Sequence, residues 1–147
     1  MGAQRDRIIA EARRWIGTPY LHQASAIGAG ADCLGLVRGV WRAVRGAEPF
    51  AAPSYSMDWG ECSGDERLMA AAMTWLCPEV PDAMRPGSVL LFRMRKDAVA
   101  KHLGILVAAG PEPRFVHAYT GHGVVESPLS APWARRIVSS FAFPEGN

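Results

Sequence analysis

Apolar positions in the first sixteen residues recur at helical spacing. Ile8, Ala12 and Trp15 share one face with Ile9 and Ile16 beside them, while Arg5, Arg7, Glu11, Arg13 and Arg14 fall mostly elsewhere. The spacing predicts a helix over 4–16. Gly17-Thr18-Pro19 stops it, because Pro19 pushes Thr18 out of helical geometry. A loop follows over 20–31, with Gly28 and Gly30 near its end. The clearest pattern then opens: Asp32 suits a cap, Leu34, Val37, Val40, Trp41 and Val44 follow at helical spacing, and Gly46 is a stop. Residues 47–62 read as an irregular loop. Asp65 and Glu66 open a third helix that runs through Leu68, Met69, Ala72, Trp75 and Leu76 and ends before Pro78.

From Pro86 the period changes from helical to extended. Strands are predicted over 88–92, 103–107, 115–119, 124–126 and 137–143, with Gly110-Pro111-Glu112-Pro113 as a turn. Helices followed by strands predict an α+β fold, with N-terminal helices packed on one face of a C-terminal antiparallel sheet. No repeat or linker interrupts the pattern, so 1–147 reads as a single domain.

Composition narrows the classes. With 147 residues, 49% of them apolar and 20% charged, the chain can bury a core of its own, which excludes disorder, collagen and coiled coil. A net charge of +2 is too small to indicate a nucleic-acid partner. No apolar run reaches the roughly 18 residues of a membrane span. Met1-Gly2-Ala3-Gln4-Arg5-Asp6-Arg7 leads straight into the first helix without a signal-peptide core. Three cysteines cannot all pair within the chain. The expectation is a soluble protein made in the cytoplasm, a reducing compartment.

The chemistry begins at Asp32-Cys33-Leu34-Gly35-Leu36. Cys33 falls in the first turn of the second helix, where unpaired N–H groups and the positive dipole end favour a thiolate and can hold an oxyanion. Gly35 is read as keeping bulk away from the sulfur. The plain alternative is a small buried hydrophobe. Among the four histidines, His102 opens one predicted strand and His117 lies on the return strand, so a hairpin can set the rings side by side as a base and its orienting partner. Singly, either is an ordinary sheet residue. A zinc site from Cys33, His102 and His117 lacks paired ligand spacing, so no metal and no cofactor are expected. His22 and His122 read as surface residues or substrate contacts.

Five blocks carry a resemblance: Trp15-Ile16-Gly17-Thr18-Pro19-Tyr20, Asp32-Cys33-Leu34-Gly35-Leu36-Val37, Pro86-Gly87, His102-Leu103-Gly104-Ile105 and Phe115-Val116-His117-Ala118. In this order they resemble the NlpC-type cysteine peptidases, papain-like endopeptidases of peptidoglycan. Three longer stretches, from Gly17 to Ser25, from Cys33 to Trp41 and from Lys101 to Leu106, resemble the phage cell-wall peptidases of that family, encoded among tail genes of phages and gene transfer agents.

The resemblance implies Cys33 as nucleophile, His102 as general base and His117 as the residue that orients it. Tyr20, Asp32 and Leu34 would form the oxyanion and substrate-binding set, Tyr20 beside the thiolate and Asp32 holding the substrate's free amine. The implied substrate is a peptidoglycan stem peptide, cut between D-glutamate and the diamino acid. Implied partners are phage-tail or gene-transfer-agent proteins, with a virion- or tail-associated location and action at the cell wall. Many members have serine where Leu34 stands and aspartate where Ser88 stands, and the turn around Pro111 and Pro113 is longer here. Two other readings remain open: a thiol amidase or acyltransferase acting on a non-wall substrate, and a non-catalytic tail-tip protein.

Overall fold

The computed structural model describes residues 2–48, 72–80, 82–94 and 100–145. Helix α1 (Gly2–Arg14) turns Ile8 and Ala12 inward, with Trp15 buried just past its end. Helix α2 (Cys33–Arg45) buries Leu34, Leu36, Val37, Val40 and Trp41. The helices meet at Gly39, where an added Cβ would run into the Trp15 indole, so glycine sets how closely they approach. As expected, Asp32 caps α2, its Oδ1 accepting from the Gly35 amide at 2.8 Å. Gly46, at φ +94°, ends the helix.

The segment read as a loop before α2 contains a small antiparallel hairpin, β1 (Ser25–Ala26) with β2 (Gly30–Ala31). Two-residue strands are too short to leave a period in the sequence. Gly35 packs under this hairpin. Its missing side chain makes room for the Ala24 carbonyl, a different reason from the open approach to sulfur expected above.

Six strands form the main sheet: β3 (Cys77–Pro78), β4 (Val89–Arg93), β5 (Ala100–Ala108), β6 (Arg114–Tyr119), β7 (Gly123–Pro128) and β8 (Ile137–Ala142). Their order is β3-β8-β4-β5-β6-β7, and every neighbouring pair is antiparallel. The α+β architecture predicted from the pattern is thus present, each predicted strand falling on an observed one. Strand β3 and the short helix α3 (Ala131–Ala134) were not predicted. Of the third predicted helix, 72–75 are helical; its remainder, most of the loop over 47–62 and Cys62 lie outside the described residues.

The sheet is buried on both faces. Val89, Leu91, Leu103, Ile105, Val116, Ala118, Val124 and Phe141 pack with the apolar sides of α1 and α2. Leu90, Phe92, Leu106 and Phe115 form a second core with Leu129, joined by Met94, Trp133 and Ile137. Burial on both sides explains why Val89-Leu90-Leu91-Phe92 is continuously apolar instead of alternating. Between α1 and the sheet, Arg5 pairs with Glu79 at 2.9 Å, and the fully buried Ser88 donates to Glu79 at 2.8 Å.

Exchanging a mid-helix glycine for alanine ordinarily stabilises by about 1 kcal/mol. At Gly39 the expected sign is reversed: Gly39→Ala should cost about 1–3 kcal/mol by overpacking Trp15. Urea unfolding of Gly39→Ala, alone and with Trp15→Leu, checks this; the penalty should shrink in the double variant.

Candidate active site

The mouth of α2 is built from backbone. Tyr20 bridges Ala31 in parallel, with Leu21 N–H donating to the Ala31 carbonyl at 3.1 Å and Ala31 N–H to the Pro19 carbonyl at 3.0 Å. This fixes Tyr20 beside the Asp32-Cys33 turn. The Asp32 carboxylate is 2% exposed, and its second oxygen accepts from the Gln23 amide at 2.7 Å, with His22 Nδ1 at 3.8 Å. The geometry therefore shows Asp32 as the brace between the hairpin and the helix.

Cys33 is half-buried, and its Sγ lies 4.0 Å from the carbonyl oxygen of Lys101, the residue before His102. The ladder between β5 and β6 runs through Ile105↔Val116, Leu106↔Phe115 and Ala108↔Arg114. Lys101 and His102 lie before its start, so the helix mouth meets β5 beyond that ladder.

The histidines meet as the hairpin reading expected. His102 Nε2 and His117 Nδ1 are 2.8 Å apart, with the rings edge to face at 78°. Gly104 permits this approach, since a Cβ there would press on the Phe115 ring at 2.8 Å and on His117 Cβ at 3.3 Å. His117 is 1% exposed, and its Nε2 meets Ser127 Oγ at 2.9 Å. Aromatic rings wall the pair in. Phe115 lies 4.2 Å from His117 by ring centroids, and Trp133 of α3 lies 5.1 Å from His117 and 5.7 Å from His102.

Burial dominates the electrostatics. It pushes the Cys33 thiol up to about 12, and the Asp32 charge acts in the same direction. Backbone groups of Leu103, Leu34 and Cys33 oppose them by hydrogen bonding toward the sulfur. Burial also holds His102 down at about 3, helped by His117, and His117 down at about 4, helped by His122. The Tyr20 phenol is raised, first by burial, against a hydrogen bond with Thr120, and it feels the charges of Cys33 and Asp32. At neutral pH these directions leave the thiol and both imidazoles neutral.

The structure thus gathers Cys33, Tyr20, Asp32 and Leu34 at the helix mouth and brings His102 to His117 on the strands. His22 touches Asp32, and the exposed His122 stacks on Tyr119 at 5.2 Å. Thr18, Pro19, Tyr20 and His122 line a cavity of about 370 Å³ next to this mouth. Sequence reasoning missed Ser127, Trp133 and Gly104. Each matters through strand register or the fold-back of α3, which leave no local signal.

A family model described as the NlpC/P60 family matches residues 17–141. The gamma-DL-glutamyl hydrolase of Bacillus subtilis (strain 168) is 28% identical over 123 residues, covering 84% of this chain; the chain spans 25% of that relative. The solved NlpC/p60 domain of the peptidoglycan hydrolase SagA has a TM-score of 0.66 at 18% identity, covering 95% of this chain and 98% of its own. A lipoprotein-like NLP/P60 family protein from Staphylococcus aureus subsp. aureus Mu50 has a TM-score of 0.65 at 17% identity, covering 99% and 43%. At such identities the solved structures speak for the fold. The family match is broader, running from the end of the first helical segment into the last strand, and on that ground the chain belongs to the NlpC/P60 family of papain-like cysteine peptidases.

Proposed function

We propose that this domain hydrolyses an amide bond of peptidoglycan stem peptides, at the γ-D-glutamyl linkage to the diamino acid. The observation that carries the reading is the His102–His117 contact at 2.8 Å, directly after Lys101, whose carbonyl oxygen lies 4.0 Å from the Cys33 sulfur. The names of two relatives support the substrate class, one a gamma-DL-glutamyl hydrolase and the other a peptidoglycan hydrolase. The resemblance to phage wall peptidases supports delivery with a phage tail or gene transfer agent.

With His102 Nε2 occupied by His117, Nδ1 is the nitrogen left for the thiol. Because both groups rest neutral, the Cys33 proton passes to His102 Nδ1 as sulfur attacks the carbonyl carbon. The N–H groups at the mouth of α2, at Cys33 and Leu34, stabilise the developing oxyanion, with the Tyr20 hydroxyl beside them. The imidazolium of His102 gives its proton to the leaving amine, leaving a thioester. Water then attacks the thioester while His102 takes its proton, and returning that proton to sulfur restores the enzyme. The buried Asp32 charge attracts the substrate's free amine through its field.

Mass analysis of fragments from purified peptidoglycan tests the substrate class and the bond. Cys33→Ala should release no fragments and melt like the wild type; full lysis by this variant sinks the assignment. His102→Gln and His102→Ala should be about equally inactive, since general-base help is worth about 10²–10⁴-fold. His117→Gln should retain more activity than His117→Ala, because an amide can still orient His102. Circular dichroism verifies folding.

The buried histidines also give stability a pH dependence. Their folded pKa values, near 3 and 4, lie below the ordinary 6.5, so in the interval between them the unfolded chain binds more protons. Their contribution is full above about pH 6.5 and is lost as pH falls through that window. Melting temperatures between pH 8 and 4 should decline on the acid side, and the decline should be shallower in the His102→Gln, His117→Gln double variant.

A further inference from the structure

We infer that Ser127 is a positioning residue that selects the working tautomer of the histidine pair, an inference that rests on the thiol-peptidase reading of the site. To take a proton from Cys33, His102 must keep Nδ1 unprotonated. Its own proton then sits on Nε2 and is donated to His117 Nδ1, across the 2.8 Å contact. His117 must in turn carry its proton on Nε2, where Ser127 Oγ accepts at 2.9 Å. The three groups form one chain with a single productive direction.

Removing the serine oxygen takes away the acceptor that the productive direction needs. His117 is 1% exposed, so an Nε2–H without an acceptor bears the full cost of a buried unsatisfied donor. The pair avoids that cost by moving the His117 proton to Nδ1, which donates to His102 Nε2 and forces the His102 proton onto Nδ1. There it blocks the nitrogen that the thiol needs. The serine lies half-buried on β7. Register supplies the position: Ser127 pairs with Phe115 and Val125 with His117, which places Ser127 diagonally across from His117 on the same face of the sheet.

Nitrogen-15 NMR of the histidine rings, at pH 7 in a Cys62→Ser, Cys77→Ser background, reads the tautomers directly. That background should show Nε2–H on both His102 and His117. Adding Ser127→Ala should shift both rings toward Nδ1–H and slow iodoacetamide alkylation of Cys33 about 3- to 10-fold, the equivalent of one ordinary hydrogen bond. On peptidoglycan, kcat should fall with KM little changed. Ser127→Thr, which restores an acceptor, should recover the tautomers and the rates. Unchanged ring tautomers in Ser127→Ala overturn the inference, as does loss of the rates that Ser127→Thr fails to restore. If the wild type releases no peptidoglycan fragments, the proposed function fails, while the ring spectra still decide the role of Ser127.

Discussion

The Asp32 carboxylate is the contact on which the site depends. One oxygen accepts from Gly35 and starts α2, and the other accepts from Gln23 and holds the preceding loop against it. Cys33 follows immediately, so the brace that fixes the helix start also fixes the sulfur. The same charge, buried beside the thiol, works against the thiolate. The helix dipole and the backbone donors oppose it without making the thiol acidic. Burial and this charge together keep the thiol protonated.

The strands place the histidines by alternation. On β5, Leu103, Ile105 and Val107 belong to the core shared with the helices, whereas Leu106 belongs to the opposite core and the His102 ring touches Phe92 and Trp133 there. Cys33, packed against the helix-side core, and His102 therefore belong to different layers. The Cys33 sulfur reaches the Lys101 carbonyl, before β5 enters its ladder with β6. The second core surrounds the imidazoles with Phe92, Phe115 and Trp133 and holds them neutral. Arg136, lying 5.6 Å over the Trp133 ring, packs on the outer side of that wall.

Much of this was legible in the residues. The period of Leu34, Val37, Val40 and Trp41 marked α2, Asp32 its cap and Gly46 its end, because capping and amphipathic burial are local rules. The change of period after Pro86 located the sheet, and the short turn between His102 and His117 made their meeting foreseeable. The hairpin at Ser25–Ala26 and Gly30–Ala31 left no sign in the pattern, nor did α3, since strands of two residues and a helix of four are too short to show a period.

By itself the sequence determined which stretches are helix and strand, where the helix carrying Cys33 begins and which side chains have the chemistry to react. Those properties depend on residues a few positions apart. Tertiary structure decided that Gly39 sets the helix spacing, that Gly104 lets His117 approach His102, and that Ser127 ends the hydrogen-bonded chain. It also decided the protonation of the site, because burial acts through the whole packed surroundings of a group. No run of neighbouring residues encodes those surroundings, and they come into being only when both faces of the sheet are covered.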